Sequence, residues 1–384
     1  MPAQMTDRIR EFLDAEVRPT PFLVMDLDIV AERYCALAAA LPGIDIYYAV
    51  KANPMPEVLE LLERLGSCFD VASWGEVEAC VAAGVSGERI SFGNTIKRRD
   101  VIGAAHRIGV RNFAFDSDAE LDKIIEQAPG SVATCRILCD GAGSAWPLSE
   151  KFGVSPEVAV PLLLRAERAG LGVGIAFHVG SQQRDVMAWD RALDEVGSII
   201  QHLADEGVEL TVLNLGGGFG SAYVDGEPPT AAAYGAAILA SVDQRVGSLT
   251  RAPMIVEPGR FLVGDAGVIE TEVVLVAHKD PAVDERWVFI DVGVFTGLFE
   301  VMGEAIRYPI VTPRSGPDGA VIIAGPTCDS VDVLYQHCGY RLPLELAEGD
   351  RVELLTTGAY TTTYSTVGFN GFEPLAVYSL PPTT

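Results

Sequence analysis

Basic residues are scarce in this chain. Its 384 residues carry 28 Lys and Arg against 53 Asp and Glu, a formal charge of −25 at pH 7. That balance argues against non-specific nucleic-acid binding, which needs basic patches to displace counterions. An acidic surface instead draws in cationic small molecules. Long hydrophobic runs are missing too, with no apolar stretch near the roughly 20 residues of a membrane span. The opening MPAQMTDRIREFLDAEV reads as a charged amphipathic helix, lacking the basic end and apolar run of a signal peptide. Cysteines stand at 35, 68, 80, 135, 139, 328 and 338, odd in number and never in C-x-x-C spacing. They read as reduced thiols, most of them buried filler. A soluble cytoplasmic protein is expected, with no metal site and no membrane or nucleic-acid partner.

Hydrophobic residues make up 49% and aromatics 8%, the composition of an ordinary globular protein. The length suits two domains. From residue 45 to 260, short β-rich runs (DIYYAVK, SCFDVAS, ISFGN, NFAFDS, TCRILCD, GIAFHVGS, TVLNLGGG, MIVEPGR) alternate with helical stretches. PMPEVLELLERLG, for instance, gathers Val58, Leu59, Leu61, Leu62 and Leu65 on one face and stops at Gly66. Eight strands, each followed by a helix, predict a closed (β/α)8 barrel over 27–261. Beyond about residue 262, strands are separated by turns. An antiparallel β domain over 262–384, joined by residues 1–26 and the strand in PTPFLVMD, is expected.

Barrel active sites lie at the carboxyl ends of the strands. Lys51, Asp70, Ser73, Asn94, Arg136, His178, Ser181, Gly216–Gly218, Glu257 and Arg260 all fall there. A strand-end lysine is as readily a solvated or salt-bridged side chain as a reactive one. At a barrel mouth, desolvation and neighbouring cations can lower an amine's pKa and make it a Schiff-base former. GGGFG bares backbone N–H groups to an anion, although tight βα turns also use glycine. EPGR adds a guanidinium suited to phosphate oxygens. A reactive lysine with a phosphate cradle points to pyridoxal phosphate, with Glu257 pairing to the pyridine nitrogen and His178 stacked on the ring.

In their order, YAVKANP, FDVASWGE, FHVGSQ, GGGFG, EPGR, GPTCDSVD and GAYTTTYSTVGFNGF cover nearly the whole chain. This set resembles the fold-type III PLP-dependent basic amino acid decarboxylases, the ornithine and lysine branch. The related diaminopimelate decarboxylases typically read CES where this chain reads Cys328-Asp329-Ser330, and they lack FNGF. The resemblance implies that Lys51 holds the cofactor, and that Asp70, Glu76 and Arg136 line it. His178 would stack on the ring. Ser181, Gly217, Gly218, Gly259, Arg260 and Tyr360 would hold the phosphate, and Glu257 the pyridine nitrogen. Cys328 would protonate the decarboxylated carbon and Asp329 would accept the substrate's distal amine. Both would come from the other subunit of a homodimer. Glu304, with Glu300 nearby, and Tyr360 complete the implied substrate side. The implied reaction converts L-ornithine or L-lysine to a diamine such as putrescine or cadaverine in polyamine biosynthesis. The alternatives are a meso-diaminopimelate decarboxylase, a decarboxylase of a modified or carrier-bound amino acid, and a non-enzymatic binding homologue.

Overall fold

The computed structural model describes residues 5–145, 151–279, 282 and 285–383. The chain divides into two compact units. One comprises Ala31–Gly220 and Pro228–Gly259, the other Met1–Val30, Ser221–Glu227 and Arg260–Thr384. The excursion 221–227 leaves the first unit for a reason visible in its backbone. Ala222 N–H donates to the Asp265 carboxylate (3.2 Å) and Val224 N–H to the Arg307 carbonyl (2.9 Å), both in the second unit.

Strand β1 (Phe22–Asp26) belongs to the second unit. The next eight form the first: β2 (Ile44–Ala49), β3 (Cys68–Val71), β4 (Ile90–Phe92), β5 (Asn112–Phe115), β6 (Val132–Arg136), β7 (Gly172–Ala176), β8 (Val212–Asn214) and β9 (Met254–Val256). Each pairs in parallel with the next, and β2 pairs with β9 to close the barrel. The intervening helices follow local rules. That over Pro56–Arg64 has proline in its first turn, buries Val58, Leu59, Leu61 and Leu62, and runs into Gly66 at φ +94°.

The remaining strands of the second unit are β10 (Gly267–Ala277), β11 (Arg286–Ile290), β12 (Ile310–Val311), β13 (Asp318–Ala324), β14 (Val333–Tyr335), β15 (Arg341–Pro343), β16 (Arg351–Leu355) and β17 (Ala376–Leu380). They run in the order β12-β16-β10-β11-β13-β14, with β15 on β13 and β1 joining β10 to β17. The sheet is antiparallel except at two places. β1 and β17 pair in parallel, as do β11 and β13, whose connection is long enough for a crossover. The helix Asp7–Ala15 packs Ile9 onto Val24, Val268 and Leu355. Among the described residues no helix is long and apolar enough to cross a membrane. All seven cysteines are free.

Candidate active site

Strand β2 stops at Ala49, and Val50–Ala52 form a single 3-10 turn, so Lys51 sits one turn beyond the strand. Val50 and Ala52 are buried on either side of it, while the Lys51 side chain is exposed. Asn53 builds the turn. Its N–H bonds the Val50 carbonyl (3.1 Å), its Oδ1 accepts from Met55 N–H (3.0 Å), and its carbonyl accepts from the buried Tyr48 hydroxyl (2.8 Å). The lysine is held out by a backbone that is itself fully tied down.

The parallel register brings the other strand ends to one level: Ala49 beside Asp70, Asp70 beside Ser91, Arg136 beside Ala176, Ala176 beside Asn214. Barrel interiors are commonly filled by bulky branched side chains. Here Ser91, Ala114, Thr134 and Ala176 are small, and they leave a cavity under the mouth that Arg136, His178, Asn214 and Glu257 also line. Asp70 is 8% exposed, and its Oδ1 has no hydrogen-bond partner among the described residues. A Cβ on Gly93 would come within 2.1 Å of that oxygen, so only glycine fits there. Burial pushes the Asp70 carboxyl well above its usual range. Glu257 adds to this, while Lys51 and Arg136 oppose it.

Loss of solvent, then the Arg136 and Lys51 charges, hold His178 well below the ordinary imidazole pKa. The ring is neutral, and its Nδ1 accepts from Gly180 N–H (3.0 Å), which leaves the proton on Nε2. Burial also lowers Arg136, against the pull of Glu257 and Asp116; its guanidinium lies 5.3 Å from the Phe152 ring. The triple glycine is required by close approach. A Cβ on Gly216 would meet the Phe177 carbonyl at 2.0 Å, and one on Gly217 the Glu257 carbonyl at 2.5 Å and His178 Nε2 at 3.1 Å. On Gly218, at φ +118°, it would meet the Gly180 carbonyl at 2.7 Å. Gly259 is buried just after Glu257, and Ser181 is half-buried just after the Gly180 turn (φ +93°). Ser73 and Glu76 are engaged locally as a helix cap. Ser73 Oγ accepts from Glu76 N–H (3.3 Å) and Glu76 Oε2 from Ala72 N–H (2.7 Å). Asn94 likewise bonds the Ala72 carbonyl (3.1 Å).

Arg260 and Tyr360 lie in the second unit. The Arg260 guanidinium is 2% exposed and forks onto Glu300 (2.5 and 2.7 Å), with a further bond to the Tyr223 hydroxyl (2.8 Å). Its Cζ lies 4.8 Å from the Tyr360 ring. Glu300, expected on the substrate side, is thus the partner of Arg260. Glu304 accepts the Gln336 and His337 backbone N–H groups on one oxygen (2.6 and 2.5 Å), which makes it a loop brace. Cys328 and Asp329 are exposed neighbours in one turn. Asn370 Oδ1 accepts Cys328 N–H (3.0 Å), and Asp329 Oδ1 accepts Val331 N–H (2.9 Å). Asp332, 2% exposed, gathers Val294 N–H (2.7 Å), Thr327 N–H (3.0 Å) and the Thr327 hydroxyl (2.6 Å).

Asn214, Asp332 and Asn370 are the residues that sequence reasoning passed over. Each lies inside or next to a quoted motif (NLGGG, CDSVD, FNGF), and that adjacency was the only signal.

A strand-end lysine, a neutral imidazole, an orphaned carboxyl oxygen and a glycine turn with no room for Cβ all line one barrel mouth. This donor set fits a flat, phosphorylated pyridine aldehyde. The family model for the pyridoxal binding domain of pyridoxal-dependent decarboxylases matches residues 27–264. The chain is 36% identical over 355 residues to the lysine/ornithine decarboxylase of Selenomonas ruminantium, spanning 92% of this chain and 88% of that one. It superposes on the arginine decarboxylase of Paramecium bursaria Chlorella virus with a TM-score of 0.88, at 30% identity over 98% of this chain and 100% of that one. For the Vibrio vulnificus lysine/ornithine decarboxylase, solved with cadaverine, the TM-score is 0.86 at 28% identity, covering 99% and 100%. The chain belongs to the pyridoxal-dependent decarboxylase family, and its cofactor is pyridoxal 5'-phosphate.

Proposed function

We propose that this enzyme decarboxylates L-ornithine or L-lysine to the corresponding diamine, as a cytoplasmic homodimer that supplies polyamine biosynthesis. The observation that carries the reading is an Asp-Cys pair held on one exposed turn, in a chain whose barrel mouth already fits the cofactor. The bound cofactor supplies an electron sink for the pair left behind when CO2 departs. Lys51 would hold the cofactor through its amine. Glu257 would face the pyridine nitrogen, and neutral His178 would cover the ring face. Gly217, Gly218, Gly259, Ser181, Arg260 and Tyr360 bind the phosphate, and Asp70 and Arg136 order the lysine. Cys328 Sγ–H delivers a proton to Cα, and the Asp329 carboxylate grips the distal ammonium through a charge-assisted hydrogen bond. Glu300 is taken by Arg260, while Asp329 and Glu304 each meet backbone N–H groups through one carboxylate oxygen; Asp329, next to Cys328, is the proposed reader of that charge, with Glu304 as the second candidate.

Exposure of the Cys328 turn supports a homodimer in which Cys328 and Asp329 serve the partner's Lys51. The segments around that turn also expose Phe299 (45%), Val331 (49%), Tyr364 (45%) and Val367 (86%), apolar side chains suited to a protein interface. The seven free thiols fit a reducing compartment.

Release of CO2 from L- and D-ornithine, L- and D-lysine, L-arginine and meso-diaminopimelate tests the reading. The expected result is the highest kcat/KM for L-ornithine or L-lysine. A preference for meso-diaminopimelate, or no turnover of any free amino acid, would overturn it.

A further inference from the structure

The described barrel mouth contains one side chain that touches both ends of the cofactor cradle and has no role above. Asn214, the last residue of β8, is 4% exposed. Its Nδ2 donates to Glu257 Oε1 (2.5 Å), and its Oδ1 accepts Gly216 N–H (2.8 Å). Glu257 in turn donates its own backbone N–H to the Gly216 carbonyl (2.8 Å). One amide therefore closes a ring of hydrogen bonds that joins the glycine turn to the carboxylate.

We propose that Asn214 is a positioning residue, fixing the orientation of the Glu257 carboxylate and tying it to the Gly216 turn. The chemistry of the amide makes this specific. Two carboxyls that sense each other cannot both ionise freely in a site of low polarity. An amide N–H favours the charged acceptor, and Asn214 reaches Glu257 only. Asp70 keeps an oxygen without a partner and is pushed towards its neutral form. The two acids thus sit in different hydrogen-bonding environments, Glu257 held by an amide and Asp70 not. With Oε1 engaged by Asn214, Oε2 is the oxygen left to meet the pyridine nitrogen.

Replacement by aspartate separates the two bonds of Asn214. In Asn214→Asp one carboxylate oxygen still accepts Gly216 N–H, but the donor to Glu257 is gone and a second negative charge faces it. In the double variant Asn214→Asp with Glu257→Gln the bond is restored with its direction reversed, the new glutamine amide donating to the new carboxylate. The measurement is the dissociation constant of pyridoxal phosphate, by reconstitution of apoenzyme from pH 6 to pH 9. With Glu257 in place, Asn214→Asp should weaken binding roughly 10- to 100-fold, the scale of a hydrogen bond to a charged group. The loss should be smaller at low pH, where the two carboxyls share a proton. On the Glu257→Gln background the same change should cost about twofold or less and show little pH term, because the carboxyl across that hydrogen bond is gone. Equal losses in both backgrounds, or wild-type affinity and pH profile for Asn214→Asp, would overturn the proposal. If Asn214→Asp does not fold, a soluble double variant that binds as Glu257→Gln does supports it. A double variant that also fails to fold, or binds far more weakly than Glu257→Gln, overturns it. The inference rests on the role given to Glu257. If Glu257→Gln itself binds with wild-type affinity and pH profile, that role fails, whereas a loss for Glu257→Gln with none for Asn214→Asp removes Asn214 alone.

Discussion

The barrel mouth and the Cys328 turn hold functional side chains in opposite ways. In the mouth, charges are set against one another: Glu257, Lys51 and Arg136 act on Asp70, Glu257 also on Arg136, and Arg136 and Lys51 on His178. On the Cys328 turn Cys328 and Asp329 are exposed, and order comes from hydrogen bonds around them, only one of whose acceptors, Asp332, is buried. Asp332 gathers Thr327 and Val294, Asn370 holds the Cys328 amide, and Glu304 braces residues 336 and 337. Cofactor chemistry needs tuned protonation states, and low polarity supplies that tuning. The Cys328 turn instead holds its exposed thiol and carboxylate by local hydrogen bonds.

Lys51→Ala should remove all turnover together with covalent retention of the cofactor, read as loss of borohydride-trapped pyridoxyl on the Lys51 peptide. Cys328→Ala should keep that label and lower kcat by roughly 10²–10⁴-fold, the span of a lost general acid. If Cys328→Ala loses the label as well, the two regions are not functionally distinct.

Asp329→Ala sharpens the contrast on the substrate side. Leaving a desolvated ammonium without its carboxylate should cost on the order of 2–5 kcal/mol, a 30- to several-thousand-fold fall in kcat/KM for L-ornithine or L-lysine. Cofactor absorbance should be unchanged. An equal fall for an uncharged analogue would show that Asp329 acts on the turn and not on the ammonium.

The barrel was legible because its strands and helices announce themselves by periodicity, and Lys51, the glycine turn and Glu257 by falling at strand ends. The excursion 221–227 was not, since it is fixed by two backbone N–H groups that meet Asp265 and the Arg307 carbonyl, partners far along the chain. Nor was the engagement of Glu300 and Glu304. Both lie in FEVMGEAIRYP, where residue type suggests a substrate carboxylate, but a fork to Arg260 and a brace on residues 336 and 337 are tertiary facts. Asn214 escaped notice for the opposite reason. It stands beside the triple glycine, and its value lies in a hydrogen bond to a residue 43 positions away.

Three stability measurements complete the set. Glu300→Ala removes the carboxylate that forks Arg260 in the interior of the second unit, and should destabilise the protein by roughly 3–5 kcal/mol in denaturant unfolding. The exposed fork of Arg165 onto Asp118 and Asp122 should give no measurable change when Arg165 is replaced by alanine. Glu353 should be the smallest resolvable effect. Burial, then the Glu270 carboxylate opposite it on β10, push its carboxyl up to about 7, with Arg10 opposing and Asp14 adding. The folded state holds that proton after the unfolded chain has released it, so stability falls as pH rises from the ordinary carboxyl range through about 7. Glu353→Gln should match wild type at pH 5 and exceed it at pH 8.5 by about 1–2 kcal/mol, allowing for partial solvent screening. Equal midpoints at both values would contradict the assignment.

The most direct test of the account is whether the two regions work only when brought together from different chains. Lys51→Ala and Cys328→Ala, each inactive or nearly so alone, are mixed in equal amounts under conditions where subunit exchange is verified. Random exchange makes about half the dimers mixed, each with one intact site, so CO2 release should recover to about a quarter of wild-type specific activity. No recovery after complete exchange would place Lys51 and Cys328 in the same chain's site and contradict the account.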